Sequence, residues 1–169
     1  ELFDEVVLVT NNPEEYADLS PSRGGPAGLR LTGDQYQGRG PLGGLHAGLC
    51  VTSRAAVFCV ACDMPFLDRQ LIERQVTRFL AAPEPCEALV PRIGELIEPL
   101  HALYARSLLG RAERILAEAD RGNSVRLLLD EARTDYWDLE DSAAQRSSFF
   151  NINTPKDLAP LHARMKPGE

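Results

Sequence analysis

Short apolar runs alternate with segments of helical period from one end of the chain to the other. Glu5–Thr10 is a β-branched run of strand length, and it ends in Asn11-Asn12-Pro13, a turn signal that also suits a helix start. Pro13–Leu19 then reads as a short helix. A loop rich in Gly, Pro, Arg and Ser covers Ser20–Gly28, ahead of a weak strand near Leu29–Thr32. Gly38–Gly44, GRGPLGG, opens a helix that runs through about Val51. Ala55–Ala61, AAVFCVA, is apolar throughout, the pattern of a strand buried on both faces. Asp63-Met64-Pro65 breaks it. From Asp68 to Leu80 the apolar positions Leu71, Ile72, Val76, Phe79 and Leu80 are spaced as in a helix, with Asp68 placed to cap it.

Cys86–Pro91 is a further strand, and Arg92-Ile93-Gly94-Glu95 reads as the turn of a hairpin returning through Leu96–Glu98. Leu100–Tyr104 is expected to continue into a long helix ending near Asp120. Asn123 or Ser124 caps another, through about Ala132. Tyr136–Leu139 and Phe149–Ile152 read as short late strands, and Thr154-Pro155 opens a last helix with proline at its first position. Strand–helix alternation of this kind predicts a three-layer α/β fold. Its sheet is mostly parallel and Rossmann-like, with a late antiparallel hairpin excursion.

The 169 residues suffice for a single domain, 1–169, with a substantial core. Hydrophobic residues at 44% and charged residues at 25% exclude a disordered tail, a collagen-like chain and a coiled coil. Twenty-five acids against 18 bases leave a net charge of −7, which gives the chain as a whole no attraction to nucleic acid or anionic lipid. The longest apolar run, Ala55–Cys62, is too short to span a bilayer. The cysteines Cys50, Cys59, Cys62 and Cys86 lie in apolar stretches and read as reduced thiols. The expectation is a soluble cytoplasmic protein with neither nucleic acid nor membrane as partner.

In an α/β sheet ligands gather at the carboxyl ends of the strands. Asp63 stands there, and a carboxylate closing an apolar run is costly unless it is solvated or used. A hard cation such as Mg²⁺ would use it; alternatively, its side chain caps the turn before Pro65. The loop Gly38–Gly44 allows close backbone approach and leads into a helix N-terminus, which favours anions, though it lacks P-loop spacing. The other reading is a mobile connection. Cys59-Val60-Ala61-Cys62 has CxxC spacing without a second pair, so core thiols are preferred over a zinc or redox site. Arg23, Arg39, Arg92 and Arg126 fall in loops or helix starts suited to an anionic substrate, with solvated surface arginine as the default.

Taken in order, TNNPEEY, GPLGGLHAGL, ACDMPFL, EPLHALY and FFNINTPKDL resemble the molybdenum cofactor guanylyltransferases, the MobA family of the nucleotidyltransferase superfamily. The resemblance runs from Val6 to Leu158. It implies transfer of GMP from Mg-GTP to molybdenum-bearing molybdopterin, giving the guanine dinucleotide form of the cofactor and pyrophosphate. It implies Asp63 as the catalytic Mg²⁺ ligand and Asn153 as a second polar ligand. Asn12, Asp34, Gly44 and Asp63 would bind GTP, since guanine offers donors at N1 and N2 to carboxylate or amide acceptors. Asn151, Arg92 and Arg126 are candidates for the pterin. Proteins that deliver molybdopterin or receive the finished cofactor are the implied partners. The family's Leu-Ala-Gly-Gly loop and following lysine, which cradle the triphosphate, have no counterpart in these residues. The expectation is a domain lacking its first strand, glycine loop and helix, and inactive alone. Rival readings are a CTP-using or sugar-phosphate nucleotidyltransferase and a non-catalytic molybdopterin-binding module.

Overall fold

The computed structural model describes residues 2–19, 28–118 and 124–158. Its strands are β1 (Val6–Val9), β2 (Leu29–Thr32), β3 (Ala56–Val60), β4 (Ala88–Ile93), β5 (Leu96–Ile97), β6 (His101–Ala105) and β7 (Thr134–Asp138). The α-helices are α1 (Gly40–Val51), α2 (Arg69–Leu80), α3 (Leu109–Ala117), α4 (Val125–Glu131) and α5 (Ala143–Ser148). β1 and β2 form a parallel pair. The second sheet has the order β3-β6-β4-β5, with β7 parallel to β4. β6 is antiparallel to both β3 and β4, so β3, β4 and β7 share one direction and β5 and β6 run against it. Three strands one way with a reversed excursion is the α/β arrangement that the alternating pattern predicts.

Side-chain alternation along the strands builds the three layers. Val57 and Cys59 of β3, Ala102 and Tyr104 of β6, and Ala88 and Val90 of β4 face one way, into a core with Leu42, Leu45 and Leu49 of α1, Ile115 and Leu116 of α3, and Leu128 and Leu129 of α4. On the opposite face, Leu71 of α2, Ile93, Phe149, Trp137 and Leu139 form a second, smaller cluster. Asp68 caps α2 as its position predicts, accepting hydrogen bonds from the amides of Gln70 (2.8 Å) and Leu71 (3.3 Å).

Three expectations are corrected and one unexpected helix is added. Leu100–Tyr104 does not begin a helix: His101–Ala105 is β6, and α3 starts only at Leu109 after a short 3₁₀ turn. A run buried on both faces carries no period, and here pairing with β3 and β4 decides it. Phe149–Ile152 is irregular rather than a strand, because its aromatic side chains pack while its backbone joins no ladder. Ala143–Ser148, which lacks an apolar stripe, is helical behind the Ser142 cap. β3 is only partly buried, and Val60 is 38% exposed. Among the described residues it pairs with β6 alone, and β1 with β2 alone, leaving one open edge on each; α1 packs on both. Ser20–Gly28 except Gly28, the expected helix end near Asp120, the Asn123 cap and Arg23 lie outside the described residues. Of the last expected helix, the described part is a 3₁₀ turn, Pro155–Asp157.

Candidate active site

The turns after β1 and β2 leave the same edge because the two strands are parallel. Asn11 joins them: its Oδ1 accepts the Asp34 amide at 2.9 Å. Asp34 Oδ1 in turn accepts the Tyr36 amide at 2.7 Å. Asn12 is exposed beside this pair, its amide on Thr10 Oγ1 at 3.1 Å and its Nδ2 3.4 Å from Glu15. The chain then enters α1 through Gly38 (φ 75°) and Gly40 (φ 62°), backbone angles that other residues rarely adopt. In the first turns of α1 a Cβ on Gly43 would lie 2.5 Å from Asp34 Oδ2, whereas one on Gly44 would meet nothing within 4 Å. Gly43 thus seats the carboxylate, and Gly44 leaves the helix surface open for a ligand. The sequence marks Asn11 only as half of the Asn11-Asn12 turn and Gly43 only as part of the Gly38–Gly44 loop; the tertiary contact with Asp34 is what separates their roles from their neighbours'.

A second group forms where β3 ends. The Ala61 amide bonds the Leu100 carbonyl (3.0 Å), and Met64 closes the turn on the Ala61 carbonyl (3.2 Å). The Asp63 carbonyl accepts the Ile152 amide at 2.9 Å, which brings Asn151-Ile152-Asn153 alongside Asp63. Asp63 Oδ1 and Asn151 Oδ1 are both buried, with no hydrogen-bond partner among the described residues. The turn is therefore closed by backbone, and the capping aspartate of this stretch is Asp68, five residues on. Asn153 is held through its own amide, which donates to Asp157 Oδ2 (3.1 Å). That carboxylate also accepts from the Thr154 amide (2.8 Å) and hydroxyl (2.9 Å), and these bonds hold Asp157 below the usual carboxylate range. Asp157 is a supporting residue legible only as a helix-opening signal.

Two buried acceptor oxygens without donors, one of them a carboxylate's, fit a hard oxygen-seeking cation that keeps its other places for water and phosphate. Among the described residues no three His, Cys, Asp or Glu side chains gather as a ligand set, so a cation here draws on amide oxygens beside Asp63. The four cysteines are free. Burial pushes the Cys59 thiol up to about 12, as a core thiol should be, but Cys62 lies beyond the strand end and is exposed, which corrects its placement in the core.

Arg92 and Arg126 stand apart from both groups, whereas Arg39 lies between Gly38 and Gly40 at the entry to α1. Arg92 binds Asp138 through Nε (2.6 Å) and Nη2 (2.9 Å) and lies over the Tyr136 ring at 5.6 Å. Arg126 is exposed in the first turn of α4, with its amide on Ser124 Oγ at 3.2 Å. Among the described residues neither guanidinium hydrogen-bonds Asp63, Asn151 or Asn153. The structure thus brings together Asn12, Asp34 and Gly44 at one group and Asp63, Asn151 and Asn153 at the other, and leaves Arg92 and Arg126 outside both.

The profile of the MobA-like NTP transferase domain matches residues 1–134. The chain belongs to that family. A probable molybdenum cofactor guanylyltransferase of Peptoclostridium acidaminophilum is 37% identical over 166 residues, covering 94% of this chain and 70% of that protein. The molybdenum cofactor guanylyltransferase of Syntrophotalea carbinolica is 30% identical, covering 93% of this chain and 70% of that protein. The crystal structure of molybdopterin-guanine dinucleotide biosynthesis protein A from Archaeoglobus fulgidus superposes with a TM-score of 0.74 at 27% identity, over 94% of this chain and 79% of that one. As in other MobA-like NTP transferases, the chain is a nucleotidyltransferase. Among the described residues no helix is long and apolar enough to cross a membrane.

Proposed function

We propose that the chain transfers GMP from Mg-GTP to the phosphate of molybdopterin, releasing pyrophosphate and leaving the guanine dinucleotide form of the molybdenum cofactor. The observation that carries this reading is the pair of buried, unpartnered oxygens of Asp63 and Asn151 at the carboxyl end of β3. Asp63, Asn151 and Asn153 would hold Mg²⁺, which when bound neutralises phosphate charge as it builds on the attacking and leaving oxygens.

The remaining work is positioning. Asp34, seated on Gly43 and tied to Asn11, accepts from the guanine edge, with Asn12 beside it. Gly44 allows the nucleotide to lie against α1. An ionised phosphate nucleophile needs no general base. The open edges of β1 and β3 under α1 support the further reading that a strand seated between them brings the triphosphate cradle to the site. Delivery of molybdopterin and receipt of the product by partner proteins belong to the same reading.

Pyrophosphate release with GTP, CTP and a sugar phosphate as controls, in the presence and absence of Mg²⁺ and molybdopterin, tests it. Release that requires GTP, metal and molybdopterin together is the expected result. Release with CTP alone, or from a sugar-phosphate acceptor, would replace it with a sister transferase. Molybdopterin binding without any release, with the triphosphate cradle present, would leave a binding module.

A further inference from the structure

His101 is fully buried in β6, and neither ring nitrogen has a hydrogen-bond partner among the described residues. A polar ring in that position costs free energy that an apolar residue of similar shape avoids. Its surroundings are specific. Register places His101 opposite Val60, on the face of the sheet shared with Phe58. The imidazole stands edge-on between Phe58 and Phe149, 5.0 Å from each ring, at 89° and 86°. Phe3 extends the row, stacked on Phe58 at 5.7 Å. Gln75 of α2, also fully buried, holds the His101 carbonyl through Nε2 at 2.9 Å, and its Oε1 is likewise unpartnered.

The two outer rings matter for where they lead. Phe58 belongs to β3, whose end carries Asp63. Phe149 lies two residues before Asn151 and four before Asn153. The stretch from Phe149 to Asn153 has no ladder to fix it. It is placed by the Ile152–Asp63 bond, the Asp157 contacts, the Phe66–Phe150 ring pair at 5.9 Å, and Phe149 against His101. Of these, the His101 ring is the contact that reaches both the core of β3, through Phe58, and this stretch, through Phe149.

We propose that His101 is a positioning residue. Its ring, locked between Phe58 and Phe149, sets the separation of the Asp63 and Asn151–Asn153 segments and so the geometry of the cation site. The inference rests on the metal-dependent reading of that site. A neutral imidazole suits this place because it fills the wedge without adding positive charge below a cation. Flat-ring width, rather than a hydrogen bond, transmits the position. Phenylalanine should therefore substitute for it and alanine should not.

The test uses Mn²⁺ as the probe, followed by electron paramagnetic resonance in the presence of GTP, together with hydrogen exchange at the Ile152 amide. Support for an indirectly acting residue next to a metal site is typically worth about 10–100-fold in metal affinity. His101→Ala is expected to weaken Mn²⁺ binding by about tenfold or more and to speed Ile152 exchange by a similar factor, about tenfold, relative to buried amides of β4. His101→Phe is expected to retain both within about threefold, below the range seen when such support is lost. Leu71→Ala, in the same apolar cluster but outside the ring row, should lower stability and leave both unchanged. If His101→Ala does not fold, Phe149→Leu carries the same expectations. Equal effects in His101→Ala and Leu71→Ala, or unchanged Ile152 exchange in His101→Ala, would overturn the proposal. Asp63→Asn separates the two levels. Mn²⁺ binding that survives Asp63→Asn defeats the metal reading, whereas Ile152 exchange still reports whether His101 holds the two segments.

Discussion

Among the described residues Asp63 Oδ1 meets no donor, so replacing the carboxylate by an amide removes charge without breaking a hydrogen bond seen at that oxygen. Asp63→Asn is expected to lower turnover by about 10²-fold or more, the scale of losing one preorganised charge-stabilising group, with little change in Tm. Steady-state rates and a thermal melt on the same sample check it; preserved turnover with a lowered Tm would make Asp63 structural. Asp34 poses a subtler case, because its Oδ1 already serves the Tyr36 amide. Asp34→Ala should loosen that turn for any nucleotide, yet leave a guanine donor unpaired as well, a loss of about 1–3 kcal/mol that CTP does not share. The affinity gap between GTP and CTP should therefore narrow, and an equal loss for both would place base recognition elsewhere. Gly43→Ala should act the same way, since its Cβ would displace the Asp34 carboxylate, and the double variant should lose less than the two single losses together. At this scale Asp63 was legible because a charge terminating an apolar strand is visible in one dimension. Gly43 and Asn11 were not, because what distinguishes them is contact with Asp34, nine and twenty-three positions away along the chain.

The element most exposed to single substitutions is the irregular stretch from Phe149 to Asn153 with the 3₁₀ turn behind it. Its last residue is fixed by Asp157, which accepts three hydrogen bonds, from Asn153 and Thr154. Asp157→Ala removes the carboxylate of the capping box and frees the Asn153 backbone. The expected result is a small fall in Tm with a clear rise in the metal concentration needed for half-maximal binding; unchanged metal dependence would show that Asn153 is not a ligand. This stretch also marks where local pattern misleads. Phe149–Ile152 is rich in strand-forming side chains, but those side chains serve ring packing against His101 and Phe66 rather than a ladder. β6 misleads in the opposite sense. Its residues from His101 to Tyr104 are buried on both faces, so neither a two-residue nor a 3.6-residue period survives. The β4–β5 hairpin was legible for a local reason: Gly94, at φ 58°, supplies the turn between Ile93 and Leu96. The N-cap of α2 was legible on the same ground, since Asp68 acts on the amides two and three residues on, those of Gln70 and Leu71.

Across the whole molecule, the response to acid follows from which groups the fold shifts. Burial lowers the His101 pKa from 6.5 to about 4, against the weaker opposing pull of its own backbone and of Asp68. Between those values the unfolded chain takes up a proton that the folded chain refuses, so stability falls as pH falls through this window and is fully retained above it. A shift of this size corresponds to a loss of about 3 kcal/mol by pH 4, a sizeable part of a domain's total. Glu5, Glu87, Asp138, Asp141 and Asp157 are shifted below the usual carboxylate range by their hydrogen bonds, so their contributions are lost only at lower pH, as each is protonated. Glu98 has the opposite sign: burial raises its pKa, and its burden on the fold eases as acid protonates it. The fall in stability from about pH 6.5 down to the carboxylate range therefore comes from His101, opposed by Glu98 as it takes up its proton. Urea melts at a series of pH values should show this fall in the wild-type chain. In His101→Phe, where nothing titrates between the two aromatic rings, stability should be nearly level down to the onset of carboxylate protonation. The two profiles should converge in shape below that point, because Arg111 and Arg133 still hold Glu87 and Arg92 still holds Asp138 in both proteins. Parallel profiles through the upper window would mean that the imidazole is hydrated in solution and not confined in the ring row. In that case the acid response would have to come from the carboxylate network alone.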